Sequence, residues 1–553
     1  MPKTGPDGDP EGVMDLKRFA LFFVIALCLL PLCGQAADDA LYPIRENGLW
    51  GYMDRAGEVV IEPQWATVWP FDGDMALVST FPVSDSSYLS YGDGVIDRNG
   101  QYLIAPQDHV TIEDYSHAYR ICFDDVSQGQ SVSYEGFFDK ASGFYQPPIP
   151  EYTMVMLWGD DGSGPIAIDN VDGLTGYVDR TTGETVIPFI YTGDSDEVCF
   201  RNGYAMPADD LTIVDADGHG VAMGMETYLI DTSGKEVELP DGMSAVSYVF
   251  DSCLIVSMRV PDGKAMALNT DAEDDWEDGE GEWSPEDDND IALPLYRVDS
   301  ITGEKTEFDW HWIWGEEGVY YGYALVRLDG TVLYGPDPNL WKIYEPDADG
   351  MLCIASNDDE SHLGHIDLSG NVIVEPRYDM EWGGGPTHYS FQNGYAVIND
   401  LGDNWPNTER WVILDTAGTE VFTQPADAED GAAFRVCGDI VLENGLFWCE
   451  LADGYSLMRL TEHGAERVSD IVFEASLGCD HYEHGEGIGF SEGLHPVKQN
   501  GLWGYIDETA VWVIPPQYDS TTGFRDGLAL VEKDGKLLYI DHNGAVVWKE
   551  NQR

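Results

Sequence analysis

The chain carries one phrase twice, near its two ends. Leu41-Tyr-Pro-Ile-Arg-Glu-Asn-Gly-Leu-Trp-Gly-Tyr-Met-Asp54 is matched 453 residues later by Leu494-His-Pro-Val-Lys-Gln-Asn-Gly-Leu-Trp-Gly-Tyr-Ile-Asp507. Counted from Gly51 and Gly504, both copies go on to Pro at +12, an aromatic at +14 (Trp65, Tyr518) and Phe at +20 (Phe71, Phe524). Ala76 and Ala529 then share +25, and Val78 and Val531 share +27. A register kept this long marks an internal repeat. A repeat constrains the fold more than length does, because a small unit must stack on its neighbours to bury an apolar face.

The most regular element is a strand ending in Asp, a turn ending in Gly, and a β-branched strand. It occurs at Asp54…Gly57, Asp97…Gly100, Asp139…Gly143, Asp179…Gly183, Asp231…Gly234 and Asp299…Gly303. It returns at Asp367…Gly370, Asp415…Gly418 and Asp541…Gly544, with Asp507 lacking the Gly and Thr461…Gly464 lacking the Asp. Asp at the first turn position accepts backbone N–H groups two residues on, and the Gly takes a left-handed conformation, so each unit predicts a β-hairpin. A Pro follows (Pro63, Pro188, Pro376, Pro516) and is expected to end the strand, since it cannot donate to a ladder. A third strand then follows Phe-x-x-Gly-Leu/Tyr-Ala, as at Phe200–Ala205 and Phe391–Ala396. The Asp positions recur with a period mostly in the forties, stretched to 52 once and to 68 twice. Eleven units result, and no amphipathic helix pattern competes with them. The expected fold is all-β, an array of about eleven hairpin or three-stranded units. It is either propeller-like and closed or a curved solenoid.

Asn-Gly-Leu-Trp-Gly-Tyr-Ile-Asp507, Val513-Ile-Pro-Pro-Gln-Tyr518 and Phe524-Arg-Asp-Gly-Leu-Ala-Leu-Val531 resemble the WG (KWG) repeat family. The match is close at residues 47–78 and 500–531, good at 173–206 and 363–397, and degenerate elsewhere. Gly176 and Gly364 keep the Gly, but Thr175 and Leu363 stand in place of Trp. The resemblance implies a bacterial, β-rich repeat protein with a binding or scaffolding role. It carries no catalytic residues across.

The charge narrows the partners. With 28 Lys+Arg against 101 Asp+Glu, the net charge is −73, which repels phosphate backbones and anionic lipid. Nucleic acid is therefore not an expected partner, and a protein or glycan is. Residues 1–36 read as a leader: Lys17-Arg18, the apolar run Phe19–Leu30 and Gly34-Gln-Ala36 form a secretory signal peptide starting at Met14. That run is short for a spanning helix, no second one follows, and no stable membrane span is expected in the mature chain. Leu32 argues against lipidation at Cys33. The product is expected to be exported: secreted, at the cell surface or periplasmic. The remaining organisation is repeats over 41–268, an acidic insertion over 269–292 and repeats over 293–553. Seven cysteines remain after the leader, without CxxC pairs, and Cys437 and Cys449 are close enough to bridge adjacent strands.

Candidate sites are few. Asp271 to Asp290 holds twelve acidic residues in twenty, a solvated stretch suited at most to loose divalent-cation capture. No other cofactor is implied. Trp310, Trp312 and Trp314 share one strand face, a candidate platform for a sugar ring or peptide, against which stands ordinary core packing. Asp480, His481 and His484 are a candidate metal cluster, though they show no recognisable ligand spacing. Gly489-Phe-Ser-Glu-Gly493 fits the G-x-S-x-G elbow literally, but it coincides with the repeat's own Phe-x-x-Gly step, so a strand should follow it. Asp215-Ala-Asp-Gly218 and Asp347-Ala-Asp-Gly350 are calcium-loop fragments too short to count. The expectation is an exported, non-enzymatic binding or scaffolding module. The alternative is a secreted hydrolase with a carboxylate-based site in a repeat-built cleft.

Overall fold

The computed structural model describes residues 39–81, 92–125, 132–193, 198–218, 220–239, 243–250, 253–259, 294–298, 304–308, 321–356, 362–378, 389–400, 410–424, 435–442, 444–479 and 489–551. Among the described residues the regular structure is β, paired antiparallel, besides a 3-10 turn at Cys437–Asp439, and ten sheets are four-stranded. Two compact units divide the chain, one of Met1–Thr111 with Asp427–Arg553, the other of Ile112–Ala426.

A typical sheet is built like a propeller blade. In the second sheet Thr67–Val68, Met75–Ser79, Asp93–Asp97 and Tyr102–Ile104 pair in chain order. In the last, Ser520–Thr521, Ala529–Lys533, Lys536–Ile540 and Val546–Lys549 do the same. The repeated phrase is therefore out of step with the sheet. Its Trp-Gly strand and Pro strand close one sheet, whereas its Phe-x-x-Gly-x-Ala step opens the next.

The turns form as expected. Asp54 Oδ1 accepts the N–H groups of Ala56 and Glu58, both at 2.9 Å, and Gly57 (φ 86°) donates to Asp54 O at 3.1 Å. The prolines behave differently from expectation. Val59–Trp65, Thr185–Tyr191, Val372–Tyr378 and Trp512–Tyr518 run straight through them as edge strands. The ladder shifts register at that point, between the partners Trp503/Tyr505 for example. The Pro sits in a bulge, where its missing N–H costs nothing. The Gly of Trp-Gly lies against that bulge: a Cβ on Gly504 would stand 2.5 Å from Ile514 O and 2.7 Å from Pro516 N. Gly364 meets Val374 O and Pro376 N at the same two distances. The Trp is dispensable, since Leu363↔Tyr378 and Thr175↔Tyr191 keep the register of Trp503↔Tyr518.

One repeat escapes the Asp pattern. Arg327 N–H donates to Thr331 O and Gly330 N–H to Arg327 O, both at 2.8 Å, which reproduces the Asp54 turn with Arg in the first place. Its sheet comprises Met243–Phe250, Cys253–Arg259, Tyr321–Arg327 and Val332–Asp337. The strand before Asp299 belongs elsewhere: Leu295–Val298 pairs with Ala208–Val214, from a hairpin inserted between Tyr204–Ala205 and Ile230–Asp231. Among the described residues eleven sheets thus continue the repeat, with Arg327 replacing Asp299 in the count, and these insertions account for the stretched spacings.

Four of the sheets are joined to the next by one recurring contact. The aromatic after Trp-Gly reaches the carbonyl two residues before the next Phe and packs on that Phe. Tyr52 donates to Trp69 O (2.7 Å) beside Phe71, and Tyr177 to Val198 O (3.0 Å) beside Phe200. Tyr505 donates to Thr522 O (2.9 Å) beside Phe524. His365 takes the same place, its Nε2 2.6 Å from Tyr389 O and its ring against Phe391. Tyr505→Phe should lower stability by about 1 kcal/mol, because it removes one buried hydrogen bond while Thr521 Oγ1 still donates to Thr522 O (3.2 Å). Urea denaturation of both proteins measures this, and equal midpoints would show the hydroxyl to be idle.

The two chain ends meet inside the first unit through a different tyrosine contact. Tyr539 donates to Pro43 O (3.0 Å), and Tyr42, the residue before that carbonyl, packs on its ring edge-on at 5.5 Å. A Cβ on Gly57 would lie 2.8 Å from Val547 O, as one on Gly100 would lie 3.0 Å from Ile61. The first sheet therefore follows the last as the second follows the first. Among the described residues no ladder links them; side chains do. Arg45 binds buried Glu550 through two hydrogen bonds (2.8 and 3.1 Å), and Leu537 N–H also donates to Glu550. Glu550→Ala is expected to cost about 2 kcal/mol by stranding both donors. Thermal unfolding reads that loss, and an unchanged melting temperature would rule the seam unimportant.

Candidate binding site

Trp310, Trp312, Trp314, Asp480, His481, His484 and the acidic insertion 269–292 all lie outside the described residues. The remaining sequence candidates are drawn into the framework. After Gly489-Phe-Ser-Glu-Gly493 comes the strand His495–Gln499, and Ser491 Oγ donates to Phe524 O. Asp347 Oδ1 accepts the N–H groups of Asp349 and Met351, and its Oδ2 accepts that of Phe391 (2.5 Å) from the following sheet. Asp349 accepts Gly394 N–H (2.6 Å). Glu474 likewise caps Asn500 and Gly501, and Glu492 caps Gly527. Part of the acidic excess thus serves as backbone capping. Among the described residues, no three His, Cys, Asp or Glu side chains gather as metal ligands.

The second unit holds a cavity of about 300 Å³ lined by Gly162–Pro165, Asp179, Arg180, Val186 and Thr232. Arg180 follows the Asp179 turn, and the turn directs it inward. Its Nη1 binds Asp139 (3.0 Å), its Nη2 binds Asp160 (2.7 Å), and its Nε donates to Gly164 O (2.8 Å). Burial works against the charge of Arg180, but the two carboxylates outweigh it and hold the guanidinium ionised. The Thr181 hydroxyl and N–H groups hold Asp179 below the usual carboxylate range. Asp161, also below it despite burial, accepts from Ser163 and Asn202. The wall is thus a fixed guanidinium among acceptor oxygens, with Ser163 and Thr232 hydroxyls at the rim. Such a set suits a hydroxyl-rich or cationic group and repels an anion.

A second polar group concerns carboxylate chemistry. Glu135 is buried, which pushes its carboxyl above the usual range against Val155 N–H and Arg120. Arg120 lies between Glu113 (3.2 Å) and Glu135 (3.7 Å). The third group was not legible from sequence: Ser476 Oγ is 2.8 Å from His495 Nε2, and both residues are buried. The one available signal is that His495 occupies the position of Tyr42 in the duplicated phrase.

Comparison with known proteins agrees with the repeat. The WG containing repeat family matches at residues 50–80, 364–405 and 503–536. No curated protein sequence matches the chain. Solved structures with some likeness include a computationally designed protein, Ika8, at 11% identity and TM-score 0.21, covering 68% of this chain and 92% of that one. A eukaryotic initiation factor has 10% identity and TM-score 0.27, with 79% and 96% covered. BamB from Moraxella catarrhalis has 9% identity and TM-score 0.22, with 79% and 92% covered. Likenesses this loose carry nothing about function.

Proposed function

We propose that this chain, which carries WG repeats, is an exported, non-enzymatic binding or scaffolding module for a protein or glycan partner. The observation that carries this reading is the repeated joint. The same Tyr or His, carbonyl and Phe contact recurs at four of the sheets, so the framework there holds its shape independently of its loops. Loops on such a frame vary at little cost to the core, which is how binding surfaces are commonly built. The net charge of −73 favours neutral or basic partners. The Arg180 cavity supports a hydroxyl-rich ligand, because its acceptor oxygens are already fixed in place.

The test is calorimetric titration of the full chain with neutral oligosaccharides and with basic proteins. Saturable binding of one class is expected, with glycan binding weakened at least tenfold by Arg180→Ala. Bond cleavage in any bound oligosaccharide, or no saturable binding of either class, would overturn the reading.

A further inference from the structure

The first sheet is one strand short of its neighbours. Among the described residues it pairs Tyr42–Glu46, Leu49–Met53 and Val59–Trp65, whereas the second and last sheets set a short strand, Thr67–Val68 or Ser520–Thr521, ahead of the matching three. Two N–H groups three residues apart hold that short strand. Ala66 and Trp69 donate to Ser79 O and Leu77 O, both at 3.0 Å. Asp519 and Thr522 donate to Glu532 O (2.8 Å) and Leu530 O (3.0 Å). Glu474 and Leu477 donate to Lys498 O (3.0 Å) and Pro496 O (3.2 Å). The duplicated phrase sets Pro43 and Arg45 in the places of Pro496 and Lys498. Both face outward, because Glu46 and Leu49 form the bonded pair beside the turn and alternate residues point away from the hairpin. Among the described residues no N–H reaches Arg45 O across that edge. Pro43 O takes the Tyr539 hydroxyl (3.0 Å). Elsewhere the tyrosine in that position serves the short strand itself, Tyr52 donating to Trp69 O and Tyr505 to Thr522 O. Tyr539 turns to Pro43 O where that carbonyl is missing.

We propose that the edge of Tyr42–Glu46 accepts an extended segment of a partner protein, which supplies the fourth strand of the first sheet by β-addition. This docking rests on the chain's being a binding module for a protein, and it names the place. The three filled positions define the occupant. It runs antiparallel to Tyr42–Glu46 and carries two N–H donors three residues apart, so neither of those residues is Pro. Its residue before the second donor is small, as Val68, Ser476 and Thr521 are, all buried. Its charge is neutral or basic. Arg45, the one cation on the edge strand, is already bound to Glu550, and a net charge of −73 repels an acidic segment. On docking, the first donor bonds Arg45 O and the second bonds Pro43 O. The Tyr539 hydroxyl passes to the incoming carbonyl, as Tyr52 serves Trp69 O.

The probe is a dye-labelled synthetic peptide of the chain's own short strand, Gln64–Pro70, extended by two lysines. Fluorescence anisotropy with the full chain is expected to show saturable binding of one peptide per chain. A peptide N-methylated at the Ala66 and Trp69 positions should bind about tenfold more weakly or worse, because both donors are gone. A peptide extended by two glutamates should bind several-fold more weakly than the lysine form. Hydrogen exchange followed by mass spectrometry locates the site: exchange should slow at Ile44–Glu46 and stay unchanged at Val497–Gln499, where Ala475–Ser476 already pairs. The edge is excluded as a docking site by absence of saturable binding, by equal affinity of the N-methylated peptide, or by protection only outside Tyr42–Met53. Equal affinity of the lysine and glutamate forms overturns the preference for a neutral or basic segment. Saturable binding of an oligosaccharide or basic protein, with no uptake of the peptide, would keep the binding-module reading and sink this edge alone. Because the variants are made in the peptide, the fold of the chain is untouched.

Discussion

Gly504→Ala is expected to lose about 3 kcal/mol of unfolding free energy, at the upper end of what overpacking costs. The added Cβ would stand 2.5 Å from Ile514 O and 2.7 Å from Pro516 N, both backbone atoms of the neighbouring strand. No rotamer change relieves such a clash. The bulge that carries Pro516 must itself move, and Ile514 is fully buried. The Pro bulge and the bare Gly are therefore two halves of one contact, which explains why the repeat keeps them together. Gly501→Ala is the control: it has no neighbour within 4 Å, and only its φ of 76° is strained. Urea midpoints for the two variants should differ clearly. Equal and small losses would show that the strand yields and that the close approach is unimportant.

Acid should weaken the fold before its turn carboxylates titrate. His365 and His495 are fully buried, which lowers each imidazole from 6.5 to about 4, against a carbonyl bond that pulls upward. Between those values the unfolded chain binds a proton that the folded chain refuses. Stability is therefore full above about pH 6.5 and falls as pH drops toward 4, by about 3 kcal/mol per histidine. The turn carboxylates Asp179 and Asp507 lie below their ordinary range, so their contribution is lost only at still lower pH. His365→Tyr isolates one histidine. It installs the phenol that other joints use and removes the buried Nδ1, which has no hydrogen-bond partner. At pH 5 the variant should unfold at a higher urea concentration than the wild type, with a smaller gap at pH 7.5. Parallel pH profiles would exclude His365 as a source of acid sensitivity.

The local elements were legible because their causes lie within a few residues. Asp54 and Gly57 meet across one turn, and any chain with that spacing forms the same bonds. Pro516 was misread as a strand end, because a bulge depends on the partner strand and not on the proline. Arg327 was missed because the turn's backbone bonds survive without the Asp side chain that marks the others. His365 is unremarkable in sequence until Tyr389 O and Phe391 are seen around it. Arg180 becomes part of a pocket only when Asp139 and Asp160, 41 and 20 residues away, are brought to it.

The sequence by itself determined the unit: hairpin, Asp turn, Trp-Gly strand and Phe-x-x-Gly step, all governed by short-range turn chemistry and alternation. The tertiary structure alone decided where one sheet stops and the next begins. It also decided that the first sheet follows the last within one unit. Those outcomes rest on contacts between strands far apart in the chain. Tyr539 on Pro43 O and Arg45 on Glu550 have no local signature, because each needs a partner that only the folded chain supplies.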